Sequence, residues 1–366
     1  MRTGEIEPFS EPRTAANFHE AQSLSSRRLG FSVTSACPLR CGHCSVSASP
    51  DLSHTTWRAA FAERVAAQME ELGRAGVRFV DFTGGEPTLA REFVPRVAAA
   101  AKAAGMVTGM VTAAHWAASD GGARRTIEQF GAVDRWDIST DVYHLPFVSL
   151  DQVRRAFERL GEAGKQPLLR IAHHEPMGLE DARLIDRAHR FAGRRMAFQP
   201  IGPVGRGKLV AVSVGADSRS YAREPCPTTG LLIRADGAGA ACCAPLSHEA
   251  RTHPLWYGDA FREPLVRMLG RWRTDWLLQT VRLWGFELVV DWAHRDGVDV
   301  DRLLRRRACD LCVGLVTDPG VAASARARSN RLEHKVRVAA ALLDHFDEPW
   351  ADEALRLEAA SLLSAD

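Results

Sequence analysis

Between residues 30 and 200, short apolar runs of strand length alternate with longer Ala-rich or Leu-rich stretches, and that alternation fixes the class of fold. Residues 30–35, 77–82, 106–111, 136–139, 168–172 and 195–198 read as strands: each is short, apolar and followed by turn or polar residues. Residues 57–73 place apolar side chains at helical spacing, and the stretches between later strands are helix-like as well. Strict alternation predicts a parallel sheet whose connections are right-handed helical crossovers. Six such units make an α/β fold, a partial (βα)6 TIM-like barrel, with function expected at the C-terminal ends of the strands.

The regular region stops at residues 199–207 (QPIGPVGRG), which places a domain boundary near residue 210. Beyond it, residues 231–234 and 238–241 flank Ala235-Asp236-Gly237 and predict a hairpin with a tight Asp-Gly turn. Trp256, Trp272, Trp276, Trp284 and Trp292 follow, either as buried core or as a cap over an active site, and residues 322–363 read as helical. The expected organisation is a polar leader at 1–29, the barrel at 30–210, an appended domain at 211–320 and a C-terminal helical segment at 321–366.

Composition narrows the class of partner. With 46% hydrophobic and 25% charged residues, the chain matches ordinary globular proteins. A net charge of +2 gives no reason to expect nucleic acid or an anionic membrane as partner. No apolar run reaches the roughly 18 residues of a membrane span, and the acidic, polar N-terminus lacks a signal-peptide core. A cytoplasmic location is expected, and in such a reducing compartment eight clustered cysteines point to metal ligation rather than disulfides.

Directly after the first strand come Cys37, Cys41 and Cys44, spaced C-x3-C-x2-C in one short loop. Three thiolates can hold three irons of a cubane and leave the fourth open to a ligand. A zinc site with a distant fourth ligand, or unrelated thiols, are the alternatives on spacing alone. The pattern resembles the signature of the radical S-adenosylmethionine (radical SAM) superfamily. That resemblance implies that the open iron of a 4Fe-4S cluster binds the amino and carboxylate groups of S-adenosylmethionine. One electron then cleaves the sulfonium, and the resulting 5′-deoxyadenosyl radical abstracts a substrate hydrogen.

A second motif, Thr83-Gly84-Gly85-Glu86-Pro87, follows the second strand. Alone it is an ordinary turn; its glycines would let backbone come close to a ligand. By resemblance, Gly84, Gly85, Glu86 and Pro87 would bind the methionyl amino group, and His43 would lie beside the adenine. Further along the rim, Ser139 and Asp141 would meet the ribose hydroxyls, Arg170 the methionyl carboxylate and Gln199 the adenine. Asp141, Tyr143, His144 and His115 are candidate catalytic groups, with His173 and His174 also just beyond a strand; each has a structural reading as well.

The remaining cysteines are Cys226, Cys242, Cys243, Cys309 and Cys312. Cys226, Gly237 and Cys242 read C-x10-G-x4-C across the predicted hairpin, which resembles the opening of the SPASM and twitch auxiliary-cluster domains. With no cysteine after Cys312, the resemblance is to the shorter twitch form, in which Cys226, Cys242, Cys309 and Cys312 would hold a second, auxiliary 4Fe-4S cluster. Cys243 in place of Cys242, and a zinc ribbon, are the alternatives.

Four thiolates close a cluster to substrate and suit it to electron transfer. The resemblance therefore implies a net oxidation, a dehydrogenation or a ring or cross-link closure in natural-product biosynthesis, fed by a flavodoxin- or ferredoxin-type electron donor. Peptide-modifying relatives often carry a leader-binding domain on the order of 80 residues; only about 30 residues precede the first strand here, which favours a small molecule over a peptide. A ribosomal-peptide maturase forming a cross-link or thioether, sulfur insertion from the auxiliary cluster and a non-catalytic iron-sulfur protein are the rival readings.

Overall fold

The structure, a computed structural model, describes residues 15–202, 204–210, 222–226, 228–243, 253–304 and 308–363. The chain divides into two compact units, one built on Arg28–Val214 and the other on Gly237–Asp366 with Phe18–Arg27 and Gly215–Leu232.

In the first unit, six strands are parallel in the order β6-β5-β4-β3-β2-β1: β1 (Arg28–Ser32), β2 (Phe79–Thr83), β3 (Val107–Thr112), β4 (Arg135–Thr140), β5 (Gln166–His173) and β6 (Met196–Pro200). Helices alternate with them, as the sequence predicts. Side chains alternate across each strand. Leu29, Phe31, Phe82, Trp136, Ile138, Leu169 and Ile171 are buried, and helices Val94–Ala103, Leu150–Glu162 and Leu179–Ala192 pack on the strands. Each such side chain contributes roughly 1.5–3 kcal/mol by leaving water. The intervening positions stay partly exposed and carry ion pairs, Arg28 with Asp81 at 3.9 Å and Arg170 with Asp137.

Two expectations change. Residues 57–73 form two helices, Ala59–Ala66 and Met69–Arg74, because the chain tightens to a Gln68 N–H to Val65 C=O bond of 3.1 Å between them. The leader at 1–29 contains a helix, Ala15–Leu24, and a 3-10 turn, Ser25–Arg27, before β1 begins at Arg28. Its polar residues Gln22, Ser25 and Ser26 are buried. They are satisfied by hydrogen bonds to Arg282 C=O (2.6 Å), Gln22 C=O (2.6 Å) and the Glu348 carboxylate (2.5 Å), so polarity in the sequence conceals their burial.

In the second unit, β7 (Leu231–Ile233) neighbours β8 (Ala238–Ala240) across the Asp236-Gly237 turn, and β8 pairs antiparallel with β9 (Trp256–Asp259). Gly237 has φ +83°, and a Cβ there would lie 2.4 Å from the Phe261 ring, so both backbone and packing require glycine. Helices Leu265–Arg273, Trp276–Trp284, Glu287–Arg295, Ala308–Thr317, Pro319–Ser329, Leu332–Phe346 and Trp350–Leu363 follow. Trp276, Leu283, Val338, Leu342 and Phe346 share one core, so the C-terminal helices belong to this unit rather than forming a separate segment. Trp272, Trp276 and Trp292 are buried, which decides for core over cap. Among the described residues no helix is long and apolar enough to cross a membrane.

Candidate active site

Because the six strands are parallel, everything that follows each of them lies along one edge of the sheet. The cysteine loop follows β1, the Gly84-Gly85 turn follows β2, His115 follows β3, Asp141 to His144 follow β4, His174 follows β5, and the glycine-rich run follows β6.

The cysteine loop is tied off at its base. Cys37 N–H donates to Ser49 C=O and Ser49 N–H to Ser35 C=O, each at 3.2 Å. Arg206, which the sequence analysis overlooked, clamps it through three of its carbonyls. Its Nε donates to Cys41 C=O (2.9 Å), its Nη1 to Ala48 C=O (2.8 Å) and its backbone N–H to Cys44 C=O (2.9 Å). Gly205 permits this approach, since a Cβ there would lie 2.3 Å from Ser45 C=O; the Gly-Arg-Gly run was the available signal. Cys37 and Cys41 are buried, Cys44 is partly buried, and all three are free thiols. Burial pushes the Cys37 thiol up to about 12, with Glu86 and the other two cysteines adding to the effect after the Leu39 N–H opposes it. Metal binding would have to displace that proton. Three neighbouring thiols in one closed loop fit the donor set of a 4Fe-4S cluster with one open iron.

The two glycines of the second motif turn out to serve the chain itself. A Cβ on Gly84, whose φ is +136°, would lie 2.3 Å from Thr34 C=O, and one on Gly85 would lie 2.1 Å from Ala36 C=O. Gly85 N–H and Glu86 N–H donate to those same carbonyls at 2.7 and 2.8 Å, so the turn is laced to the entry of the cysteine loop. Glu86 is fully buried and accepts from Thr88 N–H and Oγ1, Thr112 Oγ1 and Ala113 N–H. His115 Nδ1 stands 3.6 Å away. Burial opposes its charge, yet His115, Thr88 and Ala113 together hold its pKa below the usual carboxylate range. Its carboxylate thus joins β2 to β3, and Pro87 is buried in the turn that follows.

Asp141 is 1% exposed and organises the turn after β4. Its Oδ1 accepts from Tyr143 N–H (2.9 Å) and His144 N–H (3.0 Å), and its Oδ2 from His144 Nδ1 (2.6 Å) and His43 Nε2 (3.0 Å). Burial works against the charge, but the two histidines hold Asp141 well below the usual carboxylate range. Burial likewise disfavours charge on His144, and Asp141 and then Cys41, each by charge and hydrogen bond, bring it up to about 10. These spacings are those of direct hydrogen bonds.

Beside them runs a second chain of donors. The Tyr143 hydroxyl lies 3.0 Å from His174 Nε2, and His174 Nδ1 lies 2.9 Å from Asp181 Oδ2, with Asp181 1% exposed. Tyr143 stacks on His43 at 5.2 Å between ring centres and packs against Gly42. Burial, then Asp141 and Asp181, raises the phenol pKa. Sequence spacing could not reveal this chain, because Asp181 lies inside the helix after β5. Of the other expected contacts, Ser139 sits opposite Arg170 in the β4–β5 register, Arg170 is paired with Asp137, Gln199 is exposed at the end of β6, and His173 Nδ1 is 2.7 Å from His174 C=O.

In the second unit, Cys309 and Cys312 stand one turn apart on Ala308–Thr317, which puts them on one face. Burial pushes the Cys226 thiol up to about 12, with Cys309 and Cys243 within electrostatic reach; burial also raises Cys312 well above its ordinary value, with Cys226 and Cys309 beside it. Cys243 Sγ accepts from Thr229 Oγ1 at 3.3 Å. Cys242 lies near the buried Tyr257.

Comparison with known proteins agrees with the first unit. No match was found among the curated proteins. Among solved structures, the chain is similar to one described as "Native anSMEcpe with bound AdoMet" at 12% identity, covering 82% of this chain and 98% of the other with a TM-score of 0.45. It is similar to another described as "Crystal structure of BtrN in complex with AdoMet and 2-DOIA" at 13% identity, covering 72% and 89% with a TM-score of 0.44. Both scores are low, and the assignment stands on the family match: residues 31–173 match the Radical SAM superfamily. With the cysteine loop after β1 and the glycine turn after β2 inside that span, the chain carries a Radical SAM superfamily domain, the domain of an enzyme.

Proposed function

We propose that this enzyme carries out a net two-electron oxidation of a small molecule in natural-product biosynthesis, begun by hydrogen abstraction at the C-terminal edge of the sheet. The observation that carries the reading is the gathering of Cys37, Cys41 and Cys44 in one clamped loop beside the Tyr143–His174–Asp181 chain. The three cysteines would hold a 4Fe-4S cluster with an open iron for S-adenosylmethionine. When bound, that pair supplies one-electron cleavage of the sulfonium and hence a 5′-deoxyadenosyl radical.

The residues of this chain supply the rest. His43, held by Asp141 and stacked on Tyr143, presents an oriented ring at the loop. Arg206 and the Gly84-Gly85 turn hold the loop's shape through hydrogen bonds to its carbonyls and to those of its entry. An oxidation that begins with hydrogen abstraction must also release a proton. The Tyr143 hydroxyl, donating to His174 Nε2, keeps an oxygen lone pair free to accept that proton while its own passes to His174. The buried Asp181 carboxylate balances the imidazolium so formed. Cys226, Cys242, Cys309 and Cys312, with Cys243 the alternative to Cys242, would hold a second cluster, closed by four thiolates and so suited to electron transfer.

The test is direct. Anaerobically purified enzyme, reduced with dithionite and given S-adenosylmethionine, should form 5′-deoxyadenosine. Changing Cys37, Cys41 and Cys44 together to Ala should abolish that product while leaving about four irons per chain. Product from the triple variant, or eight irons retained in it, would overturn the assignment. Deuterium transfer into 5′-deoxyadenosine from labelled candidate compounds then identifies the substrate.

A further inference from the structure

We propose that Arg206 is a positioning residue that acts through its charge: its guanidinium is the counter-ion of the cluster held by Cys37, Cys41 and Cys44, and it slows the loss of that cluster from the loop. This rests on those three cysteines holding a 4Fe-4S cluster, as proposed above.

The bonds of Arg206 set its charge against the cysteine loop. Nε donates to Cys41 C=O at 2.9 Å, Nη1 to Ala48 C=O at 2.8 Å and the backbone N–H to Cys44 C=O at 2.9 Å. All three partners are neutral. Among the described residues no carboxylate pairs with this guanidinium, and its buried Nη2 has no hydrogen-bond partner. Other cations nearby are matched: Arg40, within the loop, by Asp51 at 2.6 Å, Arg170 by Asp137, and His43 by Asp141 at 3.0 Å. Residues 37–48 contain no Asp or Glu, so the only groups of the loop able to carry negative charge are the three thiols.

Arg206 is partly buried, and a cation that loses water without gaining a counter-charge is destabilising. Neutral donors could satisfy the carbonyls; a guanidinium adds a charge that no ordinary pH removes. In the loaded loop, three thiolates outweigh the charge of the cubane and make the site anionic, more so once it is reduced. The cation then has its counter-ion. The burial that makes its charge unfavourable in the empty loop also keeps water from weakening that attraction.

The experiment compares Arg206→Lys, which keeps the charge, with Arg206→Gln, which keeps an N–H donor without it. Each full-length protein is purified anaerobically, reduced with dithionite and exposed to the iron chelator bathophenanthroline disulfonate. The electron paramagnetic resonance signal that changes on addition of S-adenosylmethionine follows this cluster apart from the second one. That signal should decay at least about fivefold faster in the Gln variant than in the Lys variant, beyond what an exposed ion pair supplies, or form in the Lys variant alone. A smaller gap, including the case in which neither variant assembles the cluster, would overturn the inference, because the bonds to the carbonyls and not the charge would then retain it. The proposed function would still stand as long as the natural enzyme gives the responsive signal. No such signal in the natural enzyme would overturn both.

Discussion

The guanidinium of Arg282 and the carboxylate of Glu348 meet at 2.6 Å with neither side chain more than 1% exposed. Arg282 also donates to Gln279 Oε1 and Gln22 C=O, and Ser26 Oγ donates to the same carboxylate. Removing one partner strands the other as a buried, uncompensated charge. Glu348→Ala should therefore destabilise the second unit by about 3–5 kcal/mol. Urea denaturation followed by tryptophan fluorescence would measure it; a loss below about 1 kcal/mol, the value of an exposed pair, would show that water reaches the site.

At Gly85, the turn after β2 tolerates no side chain. A Cβ would stand 2.1 Å from Ala36 C=O, in backbone that leads into Cys37, so Gly85→Ala must push the two segments apart. Loss of about four irons per chain is expected, the content of one cubane. Full iron content in that variant, measured on anaerobic protein, would show that the loop shapes itself without the turn.

Glu86 links acid stability to the same region. Its folded pKa lies below the ordinary value, so its contribution is fully present above the unfolded value of about 4.3 and fades as the pH falls through the folded one. Glu86→Gln should flatten the fall in unfolding free energy between about pH 5 and pH 3. It should also lower stability at neutral pH by about 1–3 kcal/mol, because an amide cannot accept from Thr88, Thr112 and Ala113 alike. Parallel pH curves for the two proteins would count against this.

The neighbouring thiols at 242 and 243 separate cleanly by substitution. Cys243 lies within electrostatic reach of Cys226, which is grouped with Cys309 and Cys312. Cys242→Ala should lose the iron of the second cluster, about four atoms, and Cys243→Ala should keep it. The reverse outcome would move the assignment to Cys243.

Tyr143→Phe removes the hydroxyl that faces His174 while keeping the ring on His43. Once a substrate is in hand, turnover to oxidised product should fall on the order of 10²-fold, the usual weight of a general acid-base group. Formation of 5′-deoxyadenosine without substrate should persist. Unchanged turnover would remove Tyr143 from the proton path.

Much of the first unit was legible in the sequence because its signals are local. Strand-length apolar runs and a three-cysteine loop each occupy a few consecutive residues, and parallel order then sends all the loops to one edge. What escaped the reading depends on partners far apart in the chain. Glu86 and Gly85 read as ligand contacts, and their part in holding the turn together emerges only when the carbonyl of Ala36 and the hydroxyl of Thr112 are brought beside them. Asp181, inside a helix, becomes part of the rim only because the turn after β5 folds His174 back onto it. The buried Gln22, Ser25 and Ser26 read as a polar leader because no local pattern shows where their hydrogen bonds end.

Arg206 reaches Cys41 across 165 positions of sequence. The first unit's first loop is therefore finished by nearly that unit's last piece, and such distant closure is slow to form. A nascent chain emerging from the ribosome exposes its three thiols long before the residue that braces them exists. Loading with iron and sulfide thus belongs late in the life of a new molecule, and any truncation ahead of position 206 would leave those thiols without a finished cradle.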